Sequence, residues 1–232
     1  MKKIRKGFRS SVNGIRQLLF VMVSVLMVFP AMAEQPVVKK IFIFGDSMTG
    51  WMAERLQAYG EKNGFVVDAL IWDGATMKKY ADSSAALAKQ ISAARPDAVF
   101  VCLGLNEMAS PNPEKQLGGY LQKILTTIGD YPVIWIGPCS WPGHPDWGPV
   151  FDKWLSGRLG SAHYFNSLDL KLTRQGKTNP HPDRKGINIW TDDIIKWIES
   201  GEAAVRLPGY AVPAKEFSRP KVFIYRKMKA PL

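Results

Sequence analysis

The sequence has few of the residues that usually build metal centres and covalent frameworks: three histidines and two cysteines in 232 residues. His144, His163 and His181 are dispersed and form no HExxH-type pair, so neither a metal site nor a cofactor is expected. Cys102 and Cys139 are too few for a disulfide framework and lack CxxC spacing. They either pair, if their strands are neighbours in an oxidising compartment, or stand as two isolated buried thiols. No GxGxxG or GxxxxGK[ST] run is present, which removes dinucleotide-binding and P-loop readings. There is no internal repeat or low-complexity tract. A membrane-spanning helix needs about 20 apolar residues, and the apolar run at Leu18–Phe29 falls well short of that.

Acidic residues are absent from the first 33 positions, while Lys2, Lys3, Arg5, Lys6, Arg9 and Arg16 supply six positive charges. This basic stretch leads into Leu18–Phe29, apolar apart from Ser24, and then into Pro30 and Ala31-Met32-Ala33. That order is the layout of a secretory signal cleaved after Ala33, so residues 1–33 are expected to be removed and the protein exported, periplasmic or secreted. No stable membrane span is expected after cleavage. Without those six charges the formal net charge of +11 falls to about +5. Residues 34–200 are expected to form one well-buried domain, consistent with 46% hydrophobic and 22% charged residues. Residues 201–232 read as a basic, Pro-containing tail with no core of its own, although Val222–Tyr225 could add an edge strand. No nucleic-acid motif accompanies the tail's charge, so a nucleic-acid partner is not expected.

From Val37 onward, apolar runs alternate with amphipathic segments. Strands are expected at Val37–Phe44, Phe65–Trp72, Asp97–Leu103, Pro132–Ile136 and His163–Asn166. Helices are expected at Trp51–Asn63, Ser83–Ala94 and Pro149–Leu159. Leu117, Tyr120, Leu121, Ile124, Leu125 and Ile128 mark the buried stripe of another helix, and Ile187, Trp190, Ile194, Trp197 and Ile198 that of a last one. Strict β/α alternation predicts an α/β protein: a central parallel sheet with helices on both faces, joined by right-handed crossovers. In such sheets the ligand crevice lies beyond the carboxyl ends of the strands.

Four short blocks fall at those positions. Gly45-Asp46-Ser47-Met48-Thr49-Gly50 follows the first strand, Asp73-Gly74-Ala75 the second, and Gly104-Leu105-Asn106-Glu107 the third. Asn179-Pro180-His181-Pro182 precedes the last helix. In this order and context the blocks resemble those of the SGNH (GDSL-like) hydrolases, over roughly Lys40 to Ile198. The resemblance implies a flavodoxin-like three-layer α/β/α sandwich and a serine esterase. Ser47 would be the nucleophile and His181 the base. The backbone N–H groups of Ser47 and Gly74 and the side-chain amide of Asn106 would form an oxyanion hole. Glu107 would support the Asn106 loop.

The last block departs from the family pattern, Asp-x-x-His, because Thr178 stands where the orienting acid is expected. Asp183, two residues past His181, is the nearest acid; a backbone carbonyl is an alternative support for the imidazole. Trp141 and Trp147, in the Cys139–Trp147 loop, are candidates for a substrate-binding platform together with Trp72, against the ordinary alternative of packing. The expected substrate is an ester-bearing small molecule or glycan, such as an O-acetylated carbohydrate or cell-envelope polymer. Acyl transfer by the same residues and a non-catalytic envelope-binding domain are the competing readings, and the sequence leaves the oligomeric state open.

Overall fold

The computed structural model describes residues 35–214 and 224–227; the expected signal lies outside the described residues. Five strands form first in chain order: β1 (Lys40–Gly45), β2 (Val66–Ile71), β3 (Ala98–Cys102), β4 (Val133–Ile136) and β5 (Tyr164–Phe165). A sixth, β6 (Ile224–Lys227), pairs with β2. All pairings are parallel, in the order β5-β4-β3-β1-β2-β6. The five residues of β3, Ala-Val-Phe-Val-Cys, are all buried, as a strand covered on both faces requires.

The helices are α1 (Thr49–Asn63), α2 (Met77–Asp82), α3 (Ser84–Ala94), α4 (Pro113–Ile128), α5 (Pro149–Leu159) and α6 (Arg184–Glu199). The chain leaves β1 toward β2 and then reverses direction to reach β3 and β4, so right-handed crossovers put α1 on one face and α2–α5 on the other. Helix α6 packs on α1, while α2 and α3 pack on α4. This gives the three-layer α/β/α sandwich expected from the alternation. The short α2 was not anticipated. It is opened by Thr76, whose side chain accepts from the Lys79 N–H, but six residues are too few to show a helical period.

Local chemistry sets the boundaries. Helix α1 stops at Gly64, which takes the left-handed conformation (φ 84°) and donates its N–H to the Gly60 carbonyl. Asn112 caps α4 ahead of Pro113, and Asp183 caps α6 by accepting from the Gly186 N–H. Arg55 of α1 grips Asp192 of α6 through two hydrogen bonds, at 2.9 and 3.0 Å, and the Tyr59 hydroxyl donates to the same carboxylate at 2.9 Å. This largely buried fork locks together the two helices between which the site opens.

The domain continues past residue 200. Ala203, Val205 and Leu207 are buried. Val38 donates to the Arg206 carbonyl and Arg206 to that of Pro36, so this part of the expected tail is a covering layer of the domain. Both thiols are free and buried. Among the described residues, no helix is long and apolar enough to cross a membrane.

Candidate active site

The reversal of chain direction falls between β1 and β3, where a doubly wound sheet opens its ligand crevice. In register, Gly45 of β1 lies beside Ile71 of β2 and Cys102 of β3. Ser47, Gly74 and Asn106 follow these residues by two, three and four positions, so one sheet edge carries all three. Gly45 is obligatory there, because a Cβ on it would lie 2.0 Å from the Cys102 carbonyl oxygen and 2.3 Å from Thr49 Oγ1. Its own carbonyl accepts from the Trp72 N–H at 3.0 Å and from the Tyr80 hydroxyl at 2.8 Å. The turn that presents Ser47 is thus pinned on both sides.

His181 arrives from the loop before α6, and its Nε2 lies 2.9 Å from Ser47 Oγ. Its Nδ1 lies 2.9 Å from Asn179 Oδ1, and the same oxygen accepts the backbone N–H of His181 at 2.9 Å. A backbone N–H can only donate, so an oxygen must face it and the amide cannot be reversed. That oxygen in turn requires a proton on Nδ1, which leaves the Nε2 lone pair directed at the Ser47 hydroxyl.

The orienting group is therefore Asn179, two residues before His181, and neither residue considered from the sequence. Asp183 is committed elsewhere: Oδ1 accepts from Gly186 N at 2.8 Å and from the Thr173 hydroxyl at 2.5 Å, as the cap of α6. Thr178 contributes its carbonyl to Trp141 Nε1 at 3.1 Å. An Asn two residues before a histidine is a recognisable signal only if the side chain is allowed to turn back onto its own loop, as short Asx side chains do.

Arg174 braces this loop. Its guanidinium donates to the Pro180 carbonyl, to Cys139 Sγ at 3.1 Å and to Ser140 Oγ at 3.1 Å. It thereby ties the segment just before His181 to the chain leaving β4. Gln175 adds two bonds, from its N–H to the His181 carbonyl and from its amide to that of Pro182.

Gly74 and Asn106 are joined through the Asn106 amide, which donates to the Ala75 carbonyl at 2.8 Å. The Asn106 side chain has a second N–H, and Gly74 takes a left-handed φ of 65° with open space where a Cβ would stand. Glu107 supports this edge by accepting the Met77 N–H. Trp141 and Trp147 stand on the neighbouring loop, their rings edge to face at 5.3 Å, with His144 stacked on Trp147 at 3.7 Å. They pack on one another and on the Thr178 segment. Trp72 is buried edge-on against Tyr80. None of the three lines the pocket at Ser47.

That pocket, about 270 Å³, opens on the α1–α6 side and is walled by Ser47, His181, Trp51, Glu54, Asp73 and Gln175, with Met48, Ile71 and Ile187 beneath. Trp51, Glu54 and Asp73 had no sequence signal of their own, because a wall shared by α1 and the β2–α2 turn appears only in three dimensions. Among the described residues, no three His, Cys, Asp or Glu side chains are placed to hold a metal ion.

Burial lowers the His181 pKa from its ordinary 6.5; the Arg174 cation lowers it further, and Asp73 opposes both. Asp46, wholly buried behind Ser47, accepts the Met48 N–H at 3.0 Å. Burial, reinforced by Asp73, pushes its pKa up to about 7. Burial likewise brings Glu107 to about 7.

No family model and no curated relative matches this sequence. Solved structures do. A member of the lipolytic protein G-D-S-L family from Veillonella parvula superposes with a TM-score of 0.53 at 14% identity, covering 68% of this chain and 96% of that one. A family 3 carbohydrate esterase from Clostridium thermocellum gives 0.50 at 16% identity, over 69% and 95% of the two chains. The psychrotrophic esterase EstA from Pseudoalteromonas sp. gives 0.50 at 17% identity, over 70% and 98%. At these identities the likeness is one of fold: the chain has the α/β/α architecture of the G-D-S-L (SGNH) esterases, in agreement with its four sequence blocks.

Proposed function

We propose that the protein is an exported serine esterase that removes small O-acyl groups, such as acetyl, from a carbohydrate or cell-envelope substrate. The observation that carries this reading is the 2.9 Å approach of Ser47 Oγ to His181 Nε2, between residues 134 positions apart. Ester hydrolysis is supported by the pairing of that contact with an esterase fold. Export is supported by the charge, apolar run and Ala31-Met32-Ala33 of the first 33 residues. A polar substrate such as a carbohydrate is favoured by the Glu54, Asp73 and Gln175 side chains and the Trp51 ring in the pocket wall.

The chemistry follows from the geometry. As Ser47 Oγ attacks the acyl carbon, its proton passes to Nε2. The carbonyl π electrons move onto oxygen, where the Ser47 and Gly74 N–H groups and the free N–H of Asn106 meet the charge. Collapse expels the alkoxide, which takes the proton from Nε2 and departs as alcohol. Water then repeats the sequence on the acyl-serine, releasing the acid and restoring the hydroxyl. Asn179 keeps the imidazole in the reactive tautomer throughout, a role an amide also fills in Cys-His-Asn enzymes.

Purified protein should cleave 4-nitrophenyl acetate, and Ser47→Ala should reduce the rate to background while leaving the fold intact by circular dichroism. Activity that survives the substitution overturns Ser47 as nucleophile.

A further inference from the structure

Helix α2, the short element that the sequence did not announce, bonds to all three sheet-edge blocks. The Tyr80 hydroxyl donates to the Gly45 carbonyl at 2.8 Å, two residues before Ser47. Lys79 Nζ donates to the Gly74 carbonyl at 2.9 Å. The Met77 N–H donates to the Glu107 carboxylate, one residue past Asn106. Residues 77, 79 and 80 of one helix thus reach the turns that carry the Ser47 N–H, the Gly74 N–H and the Asn106 amide.

We propose that Lys79 and Tyr80 are positioning residues of the oxyanion hole, with α2 holding its three donors in place. The inference rests on the esterase reading and assigns part of its machinery to an element outside the four blocks.

The helix is itself well fixed. Met77 and Tyr80 are fully buried, and the Thr76 side chain caps the first turn. The Tyr80 ring packs on Phe44 of β1 at 4.9 Å and edge-on against Trp72 at 5.6 Å. Packing therefore aims the hydroxyl, and burial keeps it protonated by raising its pKa above the usual tyrosine range.

The need for a brace is greatest at Gly74. Its left-handed φ of 65° lies where glycine moves freely, so a turn built on it does not hold its own N–H in place. The peptide that follows is held at both ends. Lys79 takes the Gly74 carbonyl, and the Ala75 N–H donates to the Trp72 carbonyl at 2.9 Å. The Lys79 ammonium is kept over this turn by the Trp72 ring, 5.7 Å from Nζ to the centroid. The Ala75 carbonyl then accepts from Asn106, so the second and third donors share one hydrogen-bonded chain. Donors fixed in advance stabilise developing charge without reorganising, whereas mobile ones must be ordered at the moment of reaction. Loosening either turn should raise the barrier and leave ground-state binding almost unchanged.

The test uses single substitutions. Tyr80→Phe keeps the packed ring and removes the hydroxyl. Lys79→Met keeps the stem and removes the ammonium, and Lys79→Arg restores a cationic donor. With 4-nitrophenyl acetate, Tyr80→Phe and Lys79→Met should each lower kcat by about tenfold, short of the roughly 10²–10³ for loss of an oxyanion donor itself. KM should stay within about twofold, and Lys79→Arg should recover most of the loss. An aryl trifluoromethyl ketone supplies a second reading. Ser47 Oγ adds to its carbonyl carbon, the π electrons move onto oxygen and the serine proton passes to His181, which leaves a tetrahedral oxyanion. Its inhibition constant should rise by the factor by which kcat falls, since both report the same donors. Unchanged kcat in either variant strikes that residue from the role. A lower kcat with unaltered ketone affinity overturns the proposal for both, while leaving Ser47-dependent hydrolysis standing. Lys79 is exposed, so its variants give a reading even if Tyr80→Phe fails to fold. If the wild type neither turns over nor is inhibited, the esterase reading falls, and carbonyl-carbon NMR of glycine-labelled protein reads the brace alone. A Gly74 resonance that moves upfield in Lys79→Met, as its hydrogen bond is lost, supports the brace; an unmoved resonance contradicts it.

Discussion

Asn179 Oδ1 accepts two hydrogen bonds from the same residue, the backbone N–H and the ring Nδ1–H of His181, both at 2.9 Å. The first fixes the amide's orientation and the second fixes the imidazole's tautomer, so the acid that the Thr178 position lacks is replaced within the loop by a neutral acceptor.

Removing that acceptor should affect turnover more than binding. Asn179→Ala is expected to lower kcat by at least about tenfold, toward the roughly 10⁴-fold seen when a triad acid is neutralised, with little change in KM. Asn179→Asp supplies a negative charge that favours the imidazolium and raises the His181 pKa. The acid limb of kcat/KM against pH should then move to higher pH. Steady-state kinetics across pH 4–9 reads both effects (the span is roughly that over which a perturbed histidine titrates).

In the wild type, the base must be neutral to act, and burial followed by the Arg174 cation pulls its pKa below 6.5. The acid limb should therefore have its midpoint under that value. Arg174→Gln removes the cation and should shift the limb upward, as well as lowering kcat by loosening Pro180. Arg174→Lys, which keeps the charge, should shift it less. An unchanged limb in Arg174→Gln would show that the guanidinium serves only to hold the loop.

Stability should fall as pH rises from about 4 to about 7. Asp46 and Glu107 have folded-state pKa values near 7, against ordinary values of 3.8 and 4.5. Below about pH 3 both are protonated whether folded or not, and burial carries no ionisation penalty. Between about pH 4 and 7 the unfolded chain releases these protons while the folded one retains them, so stability is progressively lost. Asp46→Asn and Glu107→Gln keep the acceptor for the Met48 or Met77 N–H and should flatten the dependence. Thermal melts at several pH values compare the slopes; a variant with the wild-type slope would contradict the assignment.

Gly45→Ala should weaken fold and activity together. The added methyl would meet the Cys102 carbonyl at 2.0 Å, which backbone movement alone can relieve, at a cost of at least about 1–3 kcal/mol. Because the same strand end presents Ser47, kcat should fall in the residual folded protein. Urea unfolding combined with activity per folded molecule separates the two losses.

Much of this was readable beforehand because it depends on order along the chain. The continuous apolar run of β3 and the β/α alternation fix a buried parallel sheet, and Ser47, Gly74, Asn106 and His181 each stand where a strand ends or a helix begins. What was not readable depends on where side chains turn. Asp183 is an acid at a plausible spacing from His181, but a helix cap uses it first. Asn179 is nearer in space though unremarkable in sequence. Trp141 and Trp147 satisfy one another on a neighbouring loop, whereas Trp51, on α1 beside Ser47, faces the pocket. Residues 203–207 look like tail because they open a segment that is basic and Pro-containing further on, which masks three buried side chains at alternating positions, Ala203, Val205 and Leu207.

The most direct test of the account is covalent capture of the nucleophile. A fluorophosphonate probe should form one phosphonyl adduct, located on Ser47 by peptide mass spectrometry, and His181→Ala should slow its formation by orders of magnitude because the hydroxyl loses its base. An adduct on any other residue, or labelling of His181→Ala at the wild-type rate, would contradict a Ser47–His181 catalytic pair.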